Sequence, residues 1–406
     1  MHNSGAVLDP PLLARADSLA RTFARRRLRL GITGVGASVI WSLCWLAAVA
    51  VAAPSLIAAW RQPAGPIAAA VIGGGGALFF ALLHAVLVLP LEHAGGRQVV
   101  RRVPTLGSWL GGWGRGVASL VTIIAASTAL IAASGTLGYA TGAAATCLAM
   151  AIAVLAGQGP LARIIAPLPR RRPSAAEAAR IRAAGLDPDL VKIITTPDDA
   201  FVGGWIGLGA WRELWMPEHW LTADGAPVFD VQLLRRRIQW ESLARRRGWW
   251  RAAAWPATGL LVMTSILPWG WQQAHLWLAL PALATLWAFL GVLVLPAMSR
   301  PAVFAADLLA ARTVGRDAVA RTVARLDRWQ DDEPERTPLV EFIFHPVPAA
   351  GRRVRALDAA RPHPLGGGHQ VARLALLAGA AGGSVLGRMV HCNLGRPALW
   401  VVYPGD

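Results

Sequence analysis

Runs of apolar residues wide enough to cross a lipid bilayer alternate along this chain with short stretches dense in arginine. A bilayer core takes roughly 20 apolar residues in helical form. Six segments reach that length: 32–60, 65–90, 116–134, 137–160, 252–271 and 275–298, and none holds Asp, Glu, Lys or Arg. The pattern predicts a mainly α, polytopic membrane protein with six transmembrane helices. Four fall in residues 1–160; a soluble segment covers 161–251, a helix pair 252–298, a second soluble segment 299–361, and a tail 362–406. The first 29 residues are polar and Arg-rich and do not read as a cleavable leader.

Local patterns refine the soluble parts. Ser174 and Glu177 stand three apart, a capping box that predicts a helix over 175–184. Val191 to Thr195 reads as a strand, Ala200 to Gly209 as a turn or hairpin, and Val228 to Trp250 as one long helix entering the fifth span. Phe304 to Leu326 has helical periodicity with a break at Gly315, and 330–338 reads as an acidic loop. The Ala- and Gly-rich stretch 371–387, bracketed by Arg373 and Arg388, reads as a buried helix or a short re-entrant segment. Gly73 to Gly76 lies inside the second span, where small residues let helices approach closely.

Charge sets orientation. Arg25, Arg26, Arg27 and Arg29 precede the first span; Arg97, Arg101, Arg102 and Arg115 separate the second from the third; Arg163 and Arg170 to Arg172 follow the fourth; Arg245 to Arg247 precede the fifth. The opposite connections hold only Arg61. The positive-inside rule then puts both termini and both soluble segments in the cytoplasm of a cell at its plasma membrane. The net charge of +17 does not indicate nucleic acid, because the arginines flank spans and form no stripe interleaved with aromatics. The partner implied is the lipid bilayer. Cys44 and Cys147 lie in spans and Cys392 in the tail, so no CxxC pair exists.

Four further stretches carry chemistry by their order. Asp199-Ala200-Phe201-Val202-Gly203 is a glycine-bounded turn. Val231 to Arg247 is a helix leading into a span. Phe304-Ala305-Ala306-Asp307-Leu308-Leu309-Ala310-Ala311 follows the last span, and His345-Pro346 precedes Arg353 and Ala356-Leu357. With two spans inserted between the second and third, the set resembles the membrane zinc endopeptidases of the HtpX and CAAX prenyl protease type. The resemblance implies a small α+β metallopeptidase-like module split by the last two spans. It implies that Ala200, Phe201, Val202 and Gly203 border a substrate groove, and that His345 and Arg353 flank the metal.

The sequence departs from that family where zinc would bind. The family needs His-Glu-x-x-His on one helix face, and no two histidines of this chain are four residues apart. The best match by position is Trp240-Glu241-Ser242-Leu243-Ala244. It places Trp240 and Ala244 at the lost His positions, Glu241 at the general base and Val303 at the third ligand. Glu241 also reads as a surface partner of Arg245, and His345 as a turn residue before Pro346. The implied function is a non-catalytic pseudopeptidase with no cofactor, binding a peptide or membrane-protein client. Two alternatives stand beside it. One is an active metallopeptidase whose zinc sits elsewhere, with His363, His369, His391 and Cys392 as the available groups. The other is an unrelated transporter, against which the six segments hold no Asp, Glu, Lys or Arg and, of histidines, only His84 and the terminal His275.

Overall fold

The computed structural model describes residues 10–57, 65–99, 104–196, 198, 200–222, 225–330, 332–359 and 367–402. Arg61, Arg101, Arg102, Asp199 and His363 lie outside the described residues.

Three helices open the chain: α1 (Pro10–Ile57), α2 (Pro66–Val99) and α3 (Leu106–Ala156). α3 is broken at Gly138 and Tyr139, whose backbones leave the helical region. The chain reverses there. Gly116 before the break and Ile165 after it lie side by side, and Thr128 and Cys147 both lie against the Gly382–Gly383 turn. The predicted third and fourth segments are therefore the two arms of one broken helix. Gly73 and Gly74 of α2 face Ala132 and Ala129 of α3 with no room for a side chain between them. This is the close approach their small size permits.

A short helix α4 (Gln158–Ile165) leads to a four-stranded sheet. Its strands are β1 (Arg170–Arg171), β2 (Val191–Ile194), β3 (Gly204–Ile206) and β4 (Glu213–Pro217), in the order β1-β2-β4-β3. β2 and β4 are parallel and the other pairs antiparallel, so β3 is an edge. Helix α5 (Ala175–Ala183) begins with the predicted capping box, both hydrogen bonds formed. Helix α6 (Ala226–Glu241) packs Val228, Phe229 and Leu233 on this sheet.

The predicted helix 228–250 is two helices. Leu243 takes a left-handed backbone conformation (φ 58°) and separates α6 from α7 (Ala244–Ile266). α7 opens with Arg245, Arg246 and Arg247 and carries Arg251 a turn later, which leaves only 252–266 apolar. Among the described residues, four helices are long and apolar enough to cross a membrane by length and composition: Arg25–Val51, Pro66–Arg97, Leu106–Ala156 and Ala274–Val314. The last is α8 (Ala274–Val314), 41 residues. At 1.5 Å per residue it is about 60 Å long, twice the hydrocarbon thickness of about 30 Å. The boundary expected at residue 299 is thus no chain break, and α8 runs on continuously through Val303 and Asp307. There it meets α6, α9 (Arg316–Gln330), α10 (Pro338–Phe344) and α11 (Ala350–Asp358).

The C-terminal region is built into the bundle. Gly367 lies against Ala302, and α12 (Val371–Ala381) descends among α3, α7 and α8. The chain turns where Val385 N–H donates to Thr285 Oγ1, and returns until Met389 and Leu394 lie against Gly34 of α1. Of the two readings of 371–387, the buried helix is the one observed, and the chain turns back after it within the bundle. Arg388 on the return arm reaches Glu92 (3.4 Å) and His84 (3.2 Å) of α2, and Ser38 of α1 meets the other side of His84 (2.9 Å). His84 therefore has ionisable company. α2 runs past residue 90 to include Glu92, and the tail supplies Arg388.

Candidate functional site

α6 and α8 run antiparallel. Arg235 Nε lies 2.9 Å from Asp307 Oδ1. Thirteen residues on, Gly248 touches His369, whose neighbour Gly368 donates its N–H to the carbonyl of Met298, nine residues back along α8. One helical turn on from Arg235 is Gln239, and one turn back from Asp307 is Val303. The α6 face turned toward α8 and the cleft carries Gln232, Arg235, Arg236 and Gln239, all fully buried.

A single carboxylate organises this layer. Asp307 accepts from Arg353 of α11 through Nε (2.8 Å) and Nη2 (2.9 Å), beside its pairing with Arg235. Arg235 donates to Gln232 (3.2 Å) and Arg236 to Gln239 (3.2 Å). Arg236 also donates to the carbonyl of Val202 (3.4 Å), and Trp205 of β3 donates its indole N–H to the Arg236 carbonyl (2.9 Å).

Below lies a cavity of about 510 Å³, walled by α1, α8, the 344–353 segment and the tail. His345 lines it, its ring 4.9 Å from that of His391. Arg396 lines it too, paired with Asp198. Burial, and after it the charge of Arg27, lower the pKa of Arg396.

The predicted residues are distributed unevenly. His345 and Arg353 share the cavity wall with Ala200 and Val202. Glu241 is not among them. It is the last residue of α6, half exposed, and pairs with Arg237 at 2.7 Å rather than with Arg245. Trp240 turns to the sheet, its ring 4.9 Å from Trp205 and under the Arg212 guanidinium. Ala244 lies past the helix break, its carbonyl accepting from the His369 N–H. Val303 is buried on α8, in the layer of Asp307. Phe201, Val202 and Gly203 precede the edge strand as expected, but they are buried, and the Val202 carbonyl already accepts from Arg236. Among the tail groups, His391 meets His345 while His369 lies against Gly248. The α6 side chain that reaches Asp307 is Arg235, five residues before Trp240, and Arg236 and Gln239, five before Glu241 and Ala244, are hydrogen-bonded to each other beside it. The signal available in the sequence was their polar i, i+1, i+4 spacing directly after Leu233-Leu234.

No family model and no curated protein matches this chain. Among solved structures, the crystal structure of S. mikatae Ste24p superposes over 85% of this chain and 96% of its own, with a TM-score of 0.55 at 10% identity. This chain has the Ste24p fold. Ste24p is a membrane metallopeptidase of the CAAX prenyl protease type, so the Ste24p likeness agrees with the family resemblance in the sequence at the level of architecture. It gives a polytopic helical membrane protein with a small sheet.

Proposed function

We propose that the protein is a non-catalytic member of the Ste24p fold, a membrane pseudopeptidase whose cleft binds rather than cleaves. The observation that supports this reading is the buried Arg235 on Asp307, with Arg236 and Gln239 buried on the same helix. In this reading Arg235, Arg236 and Gln239 stand for the ligand, base and ligand of a His-Glu-x-x-His helix. A guanidinium has no lone pair to give a metal and keeps its charge in proteins. Two of them in this layer oppose a divalent cation, and Val303 offers no donor. Hydrolysis of a peptide at neutral pH relies on a metal to turn water into a nucleophile.

The same reading assigns six crossings to the bundle, counting the two arms of α3 separately and including α7, with both soluble parts cytoplasmic. A cysteine placed at Gln273 is then labelled from outside and one at Asp332 is not; reversed labelling overturns the orientation.

Function is tested by elemental analysis of detergent-purified full-length protein alongside casein cleavage with and without chelator. The expected result is no stoichiometric zinc and no cleavage. One zinc per chain with chelator-sensitive cleavage sinks the proposal.

A further inference from the structure

The cavity beneath the polar layer is also a slot between two membrane helices. Trp45 of α1 donates its indole N–H to the carbonyl of Leu278 of α8 (2.8 Å), which ties the two helices together at one end. Nearer the soluble layer the cavity lies between them. Ile32, Gly36 and Ile40, each one turn from the next, wall it on α1, and Phe289, Val292 and Pro296 wall it on α8. These six positions lie in segments with the composition of membrane spans. Among the described spans α1 is the least buried, and Ile32 and Ile40 line the cavity while remaining exposed. The slot therefore opens sideways, on the side of α1 where a bilayer would lie.

We infer that the slot takes one acyl chain of a bilayer glycerophospholipid, drawn from the leaflet beside the soluble layer. A wall of this kind gains dispersion contacts from a hydrocarbon chain, whereas a bound water needs two or more polar partners that these side chains do not offer. From Ile32 to Ile40 the wall runs about 12 Å along the helix, close to the roughly 15 Å of hydrocarbon in one leaflet. Gly36 stands at its middle, and nothing opposite lies within 4 Å of where a side chain would begin, so the wall is hollow there. The volume of about 510 Å³ falls in the range of about 300–1,000 Å³ that holds small-molecule ligands. At the end nearer the soluble layer the lining turns polar, with Asp327, Gln330, His345 and His391, and with Arg396 paired to Asp198. Groups of both signs there can meet the glycerol esters and headgroup by hydrogen bonds. The chain, and not the charge of the headgroup, is what the slot selects.

This names a ligand for the cleft assigned above to binding, and rests on that reading only in that the cleft binds. Zinc content and cleavage test the one; chain-dependent lipid retention tests the other. Full-length protein in neutral detergent is titrated with dioleoylphosphatidylcholine, dioleoylphosphatidylglycerol, dihexanoylphosphatidylcholine and a farnesylated peptide, and bound mass is read by native mass spectrometry. The expected result is one long-chain lipid per chain, the two dioleoyl lipids bound alike and the dihexanoyl lipid about tenfold more weakly or worse. Gly36→Trp places a ring in the hollow of the wall and should weaken dioleoylphosphatidylcholine about tenfold at unchanged helix content. Val292→Trp, on the facing wall, should do the same and stands in if the first variant misfolds. Val294→Trp, at an exposed position of α8, should leave binding unchanged. Retention that all three variants share marks lipid of the surrounding bilayer and overturns the inference. So do equal binding of the short-chain lipid, a tenfold preference between the two headgroups, or preference for the farnesylated peptide.

Discussion

Asp307 and Arg353, 46 residues apart in sequence, form a two-point ion pair at 2.8 and 2.9 Å, and the same carboxylate takes Arg235 from a third helix. Both partners of the two-point pair are almost wholly excluded from solvent. Burying a charge is costly unless it is paired, so this carboxylate holds three helices in one register.

Removing that carboxylate takes an ion-pair partner from two buried guanidiniums. Asp307→Asn should therefore cost about 3–5 kcal/mol of stability, read as a loss of thermal midpoint in detergent. Glu241→Gln removes only an exposed i, i+4 pair and should cost about 0.3–0.5 kcal/mol. Equal losses for the two would show that Asp307 does not organise the layer.

The helix register can be tested by rebuilding zinc ligands. Arg235→His, Gln239→His and Val303→Glu, with Arg236→Glu as base, should bind one zinc per chain. Trp240→His, Ala244→His and Val303→Glu should bind none, because Trp240 packs on Trp205 and Ala244 lies past the break at Leu243. Zinc in the second variant alone would restore the register expected from sequence.

Arg388 fixes the C-terminal hairpin to α2 through Glu92 and His84. Arg388→Leu leaves a buried carboxylate uncompensated, a change on the order of 3–5 kcal/mol. The expected outcome is release of the hairpin, seen as new protease cleavage between Gly367 and Val402. A hairpin as resistant as in the unaltered protein would show that apolar packing alone retains it.

The capping box of α5 should be pH-sensitive in a definite direction. Arg171 first, with the Ser174 N–H, holds the Glu177 carboxyl at about 2, against 4.5 for an isolated group. A depressed folded pKa contributes stability that is complete above the unfolded value and fades as pH falls through the folded one. The contribution should thus be lost between about pH 4.5 and 2. Glu177→Gln should remove that part of the acid dependence of α5 amide exchange; an unchanged profile would exclude the carboxylate as its source.

The sequence by itself determined the elements whose cause is local. Uncharged apolar runs make bilayer-length helices, Ser174 and Glu177 cap α5 three residues apart, and Gly73 and Gly74 mark a close helix contact, all within a turn or two of chain. The order of four short stretches was enough to indicate the architecture shared with Ste24p. Only the tertiary structure decided the face of α6. Both sides of that helix are buried, one by Phe229 and Leu233 on the sheet, the other by Arg235, Arg236 and Gln239 under α8. Periodicity reads polar residues as solvent-facing, and here the carboxylate that makes their burial tolerable comes from Asp307, 72 residues downstream of Arg235. The tail follows the same logic. Arg388 reads as the end of a cytoplasmic segment until Glu92 and His84, nearly 300 residues away, supply the partners that let it enter the bundle.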